Sequence, residues 1–186
     1  MSTTDPRILH TQALIGDAVR ALLVEDGWDA ITHQRVAERS GVGRNTVYRH
    51  FPDRLALLAH GGKFVDASHH APITGDARAD LAAELRSFRR ELFDGIVGTI
   101  IGAIVERADR DPEVVPLRDR LVELGAGQTM ELIRNAQAAG LIDAERDVRE
   151  VTAALCGPVL YARLCLGEPP TDVAIDRIVD SQLDAS

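Results

Sequence analysis

Apolar residues in this chain recur with one period almost from end to end, and it is the period of an α-helix. In the first clear segment Ile15, Ala18, Val19, Leu22 and Leu23 fall at i, i+3, i+4, i+7 and i+8, a single stripe along one helical face. No stretch alternates apolar and polar residues over a useful strand length, and Gly, Pro or Asp bounds each helical pattern. The fold class that follows is all-α, with about nine helices in total. After a break at Ala71-Pro72-Ile73-Thr74-Gly75, helices are expected at 77–93, 94–109, 112–139, 147–166 and 171–183.

The densest information lies between Thr32 and Arg54, which read THQRVAERSGVGRNTVYRHFPDR. Two short helical patterns, HQRVAERS and RNTVYRHF, flank Gly41-Val42-Gly43 and stop at Pro52, the layout of a helix-turn-helix. Gly27 ends the preceding helix, Trp28 and Ile31 add apolar bulk, and the Thr32 hydroxyl is placed to cap the next one. Val36 and Ala37 face inward, Val42 plugs the angle of the turn, and Val47 and Phe51, four apart, anchor the following helix. That spacing leaves Arg44, Asn45, Thr46, Tyr48 and Arg49 largely outside. Asp53 is set to cap a fourth helix running from Arg54 to about Val65.

Charge separates this stretch from the rest. The chain carries a formal net charge of -8, from 21 Lys+Arg and 29 Asp+Glu, which would repel a nucleic acid. Residues 1–60 hold seven Arg and seven acidic residues, so residues 61–186 carry the whole of the -8. Within 32–54, Arg35, Arg39, Arg44, Arg49 and Arg54 stand against Glu38 and Asp53, leaving +3. An acidic bulk with a locally basic helix pair implies one part that touches phosphate and another that faces solvent.

Several classes are excluded or disfavoured. The longest apolar run, Gly95 to Val105, falls short of the roughly 20 residues that span a bilayer. MSTTDPR has neither a basic start nor an apolar run, so no secretory signal is visible and a cytoplasmic protein is expected. Cys156 and Cys165 lie nine apart among apolar neighbours, without a metal or redox signature. Asp66, His69 and His70 have a spacing that suits a metal, but a frayed polar helix end is the preferred reading. There is no GxSxG elbow, no HExxH, no phosphate-cradling loop and no convincing carboxylate pair, so neither catalysis nor a cofactor is expected. Gly98 and Gly102 form one GxxxG, which in a soluble core marks close helix packing.

The penultimate helix is unlike the others. Ala153 to Leu166, AALCGPVLYARLCL, is apolar nearly all round, with Arg163 its only charge. A helix apolar on every face needs partners on every face. Either it is a central core helix of one subunit, or one face meets its copy in a second chain. The second reading is preferred, with Val159, Leu160, Ala162, Arg163 and Leu166 at the interface, because one recognition helix reads too few base pairs. Two-fold pairing supplies a second half-site about 34–36 Å away on the same face of DNA.

From about Leu9 to His69 the chain resembles the DNA-binding domain of the TetR family of transcriptional regulators. The resemblance rests on Gly27-Trp28, Thr32, Val36-Ala37, Gly41-Val42, Thr46-Val47-Tyr48, His50-Phe51, Arg54 and Leu57. Residues 70–186 are similar to the C-terminal domains of one subgroup in Gly140-Leu141, Gly157-Pro158-Val159-Leu160-Tyr161 and Gly167-Glu168-Pro169. The implied division is a three-helix DNA-binding domain at 9–69, with its helix-turn-helix at 32–51, and an effector-binding and dimerisation domain at 70–186.

The resemblance implies roles position by position. Thr32 opens the second helix, where its hydroxyl and free amides hold a phosphate, and Gln34 reaches the groove with an amide suited to adenine. Arg44 leads as base reader, gripping guanine O6 and N7, a pairing worth roughly 1–3 kcal/mol of discrimination. Asn45 adds an adenine contact and the Thr46 methyl meets a thymine methyl. Tyr48, His50 and Arg54 bond phosphates, and Arg49 serves either way. Tyr48 has a second reading, as a ring closing the helix-turn-helix core. Arg35 and Arg39 read as solvated neighbours of Glu38.

Three positions depart from the family pattern. Gly43 stands where a capping serine is common, Asn45 where Gly or Ala is usual, and His33 where an apolar residue is common. The implied function is a ligand-responsive regulator, a repressor that binds a palindromic DNA operator as a homodimer and is released by a small-molecule effector. Phe88, Phe93, Met130 and Arg134 are the candidate pocket residues, and the aliphatic composition suggests an apolar or amphipathic effector. An effector-independent architectural DNA-binding protein is the main alternative, and a helical enzyme a weaker one.

Overall fold

The computed structural model describes residues 5–62, 70–95 and 97–183. Nine α-helices run through these residues, with no strand among them: α1 (Pro6–Asp26), α2 (His33–Ser40), α3 (Arg44–His50), α4 (Arg54–Gly62), α5 (Ala77–Phe93), α6 (Val97–Ala108), α7 (Val115–Ala138), α8 (Val148–Tyr161) and α9 (Asp172–Asp180). Several boundaries differ from those read in the sequence: the helix expected at 112–139 begins at Val115, after a 3-10 turn at Pro112–Val114. The helix expected at 94–109 starts at Val97, because Asp94 closes α5, its N–H donating to the Arg90 carbonyl at 2.8 Å. The one expected to reach 183 ends at Asp180, and α8 widens after Tyr161 into a π turn, Ala162–Leu166. Val65, the expected end of the fourth helix, lies outside the described residues, as do Asp66 and His69.

By internal packing the chain divides into two compact units. The described residues up to 62 cluster with Thr99–Leu121, and residues 70–98 with 122–183.

In the first unit α1 packs on α2 and α4, and α2 on α3. The stripe Ile15, Val19, Leu22 and Leu23 is buried against Ile31, Val36, Val47, Phe51 and Leu57, and each such side chain contributes about 1.5–3 kcal/mol by leaving water. Thr32 Oγ1 accepts from Arg35 N at 3.2 Å, and Asp53 Oδ1 from Ala56 N at 2.7 Å, so both expected caps are made. Gly41 ends α2 with φ 69°, a left-handed turn that a side chain would strain. Val42, beside it, is only half-buried. His60 Nε2 donates to the Gln12 carbonyl at 2.7 Å and ties α4 to α1.

In the second unit α5 packs on α8 and α9, and α8 on α9. Leu81, Leu85 and Leu92 meet a core that includes Leu132, Ile133, Leu155, Val159, Ile175 and Val179. Two buried carboxylates one turn apart on α5 hold the segment that precedes it. Asp80 accepts from the Thr74 hydroxyl at 2.6 Å and from the Thr74 and Gly75 amides at 3.0 and 2.9 Å. Glu84 accepts from His70 Nδ1 at 2.6 Å, Ala71 N at 2.9 Å and Gln128 Nε2 at 3.0 Å. The start of α6 sits tightly here as well: a Cβ on Gly98 would overlap the Leu92 carbonyl and lie 2.7 Å from Arg163 Nε.

Candidate nucleic-acid interface

The outer face of α3 is set by what its inner face must bury. Val47 is fully buried and Phe51 nearly so, and the helical period then turns Arg44, Asn45, Tyr48 and Arg49 to solvent. Thr46 and His50 are half-buried at the margins of this face. Gly43 opens α3 without a side-chain cap, and its carbonyl alone accepts the first bonds, from Thr46 N at 2.8 Å and Val47 N at 3.1 Å. Across the glycine turn, Thr32 and Gln34 stand exposed in the first turn of α2. A surface concavity between the two helices is lined by Ile31, Thr32, His33, Gln34, Arg44, Tyr48 and Arg54. Five of the expected DNA-contacting side chains thus share it with His33.

The cations of the motif divide into two groups. Arg35 pairs with Asp26, and Arg39 makes a two-pronged bond to Glu25, with Nη1 to Oε2 at 2.9 Å. Both acids lie at the end of α1, so these arginines are braces to α1 rather than neighbours of Glu38; Glu38 instead accepts from Gln34 Nε2 at 3.0 Å. Arg44 and Arg49 take part in no ion pair among the described residues. Arg54 is intermediate: Nη2 donates to the Trp28 carbonyl, lies 3.3 Å from Asp29, and the guanidinium covers the Trp28 ring at 5.3 Å. Part of Arg54 is therefore committed to holding α4 against the start of the α1–α2 connection.

His33 was visible in the sequence only as a polar residue in an apolar slot. It is buried, its Nε2 lies 2.7 Å from the Phe51 carbonyl, and its ring stacks on Tyr48 with centroids 3.8 Å apart and planes 2° from parallel. Tyr48 is therefore divided between core and surface. One face of its ring closes on the core through His33, while 42% of the residue stays exposed.

In the second unit the candidate residues are dispersed. Phe93 lines a shallow groove with Arg89, Arg90, Asp94, Pro169, Pro170 and Thr171. Phe88, Met130 and Arg134 are not part of it; the first two are half-buried and Arg134 points to solvent. Of the residues assigned to a dimer face, Val159 and Ala162 are buried in their own unit, and Arg163 Nε donates to the Leu92 carbonyl at 2.8 Å. Leu160 is half-buried, while Tyr161, Leu164 and Leu166 are exposed. The open apolar face is consequently displaced toward the end of the helix. Cys156 is partly buried, and burial, with the nearby charge of Glu84, pushes its thiol up to about 12, outside the range of a reactive thiolate. No group of three or more His, Cys, Asp or Glu side chains is poised to hold a metal among the described residues, and none of the described helices is long and apolar enough to cross a membrane.

A short helix that offers arginine and amide side chains outward, braced through a glycine turn to a capped partner, defines a helix-turn-helix regulator that engages DNA. Residues 15–60 match the model of the bacterial regulatory proteins of the tetR family, and residues 71–181 that of the tetracyclin repressor-like C-terminal domain. The chain belongs to the TetR family of transcriptional regulators. It is 26% identical to the DNA-binding transcriptional repressor TetR of Mycobacteroides abscessus, over 94% of this chain and 92% of that one. It is 25% identical to the HTH-type transcriptional regulator YdeS of Bacillus subtilis, over 94% and 88%. The crystal structure of the TetR family transcription regulator SCO0332 superposes with a TM-score of 0.70 at 29% identity, covering 91% of this chain and 94% of that one. Fold and relatives are those of regulators rather than enzymes.

Proposed function

We propose that the protein is a ligand-responsive repressor that binds a palindromic operator as a homodimer in the cytoplasm and is released by a small-molecule effector. The observation that carries the reading is the division of arginines on the helix-turn-helix. Arg35 and Arg39 are taken by α1, which leaves Arg44 and Arg49 as the cations directed outward from α3. Arg44 reads guanine, with Asn45 and Thr46 beside it; Thr32, Tyr48, His50 and Arg54 fix the register on phosphates, and Gln34 and Arg49 complete the face. The relative from Mycobacteroides abscessus, named a repressor, supports the negative sense of control.

In this reading residues 9–69 engage DNA and residues 70–186 pair the subunits and take the effector. The exposed end of α8 and its π turn, with Leu160, Tyr161, Leu164 and Leu166, is the pairing face. An apolar or amphipathic effector near Phe88, Phe93, Met130 and Arg134 favours a dimer whose recognition helices no longer match successive major grooves. Titration of the full chain with a duplex enriched from a random pool, and with unselected DNA, tests the assignment. Arg44→Ala should lose discrimination between the two, whereas Tyr48→Phe should weaken both equally. Equal losses on both for Arg44→Ala remove it as a base reader.

A further inference from the structure

His33 occupies the first turn of α2 beneath the concavity that Thr32, Arg44 and Tyr48 border. A carbonyl only accepts, so the 2.7 Å contact with Phe51 O requires that Nε2 carry the hydrogen, and the ring plane is fixed by the main chain at the end of α3. Against that fixed plane lies Tyr48, in nearly parallel contact at 3.8 Å. One turn earlier on α3, Arg44 places its Cζ over the Tyr48 ring, 5.6 Å from the centroid, within the range of a cation–π contact. The run Phe51 carbonyl, His33, Tyr48, Arg44 therefore connects the buried backbone to an outward-facing cation of the motif. An aliphatic residue at position 33 would fill the same space but offer neither the donor nor a flat surface.

We infer that His33 is a positioning residue of the DNA-binding face: it holds the Tyr48 ring, and through it Arg44, in the orientation used on DNA before DNA arrives. Tyr48 and Arg44 are both exposed, and side chains ordered in advance lose less rotamer freedom on binding. The inference rests on the reading of α3 as the operator-binding helix.

The test is a double-mutant cycle on the full chain, read by anisotropy with the duplex that the wild-type protein enriches from a random pool. H33L removes ring and donor, H33Q keeps a donor for Phe51 without the ring, and H33F keeps a ring without the donor. Circular dichroism at the assay temperature selects variants that are folded. H33L and H33Q should bind about three- to tenfold more weakly, the range of one aromatic contact, with a smaller loss in H33F. The loss should vanish when Y48A is already present. Wild-type affinity in H33L and H33Q, or losses that simply add to that of Y48A, overturns the inference. Wild-type affinity in R44A and Y48A as well overturns the underlying reading of the face.

Discussion

Arg163 Nε donates to the main-chain carbonyl of Leu92 at 2.8 Å, so the one cation of the π turn that follows α8 is used within its own unit. Its guanidinium also lies over Phe93, 6.0 Å from the ring centroid. Val159 and Ala162, on the same side, are buried, and Arg163 itself is half-buried. The exposed large apolar side chains of this stretch are Tyr161, Leu164 and Leu166.

Leu164→Glu introduces a charge at a residue that is half exposed in the isolated subunit. It should leave the chain monomeric where the proposed pairing gives a dimer, and abolish operator binding, while the melting temperature of the core is retained. Ala162→Glu, by contrast, should unfold the second unit. Light scattering that still shows a tight dimer for Leu164→Glu refutes this interface.

Gly98→Ala should be costly although Ala is the better helix former. The added Cβ meets the Leu92 carbonyl and Arg163 Nε, and relief requires backbone movement. A destabilisation of about 1–3 kcal/mol is expected for overpacking of this kind. A chemical melt with an unchanged midpoint contradicts the close approach.

Arg54→Ala should lower stability as well as DNA affinity. Its guanidinium satisfies the Trp28 carbonyl and covers the Trp28 ring, and loss of a hydrogen bond to a charged group costs about 1.5–3 kcal/mol. Denaturant midpoints and binding isotherms measured together check this. Reduced affinity at wild-type stability means that Arg54 acts on phosphate alone.

Asp80 predicts an acid limb. The bond from the Thr74 hydroxyl, joined by the Thr74 and Gly75 amides and opposed by burial, holds its carboxyl below the usual carboxylate range. A depressed folded value means that the stabilisation is fully present above about pH 4, the ordinary Asp range, and is lost as pH falls through the lower folded value. Thermal melts of wild type and Asp80→Asn should differ at pH 7 and converge toward acid. A pH-independent gap between them contradicts the linkage.

The helical fold was legible because its stripes are long and regular: Ile15, Val19, Leu22 and Leu23 are all buried, as their spacing required. Thr32, Gly41 and Asp53 likewise perform the local duties their residue types suggest. What escaped sequence reasoning depends on packing between helices. Arg35 and Arg39 find Asp26 and Glu25 only once α1 lies beside α2, and His33 meets a ring fifteen positions away. In α8, apolar residues on all sides concealed which face turns inward, so Val159 and Ala162 could not be told from Leu164 and Leu166.

The most direct measurement is selection of bound duplexes from a random pool by the full chain, followed by the stoichiometry of the enriched complex. A two-fold symmetric sequence bound by two chains is expected, its half-sites centred about 34–36 Å apart or a multiple of that. An unsymmetrical site occupied by one chain, or no enrichment at all, contradicts it.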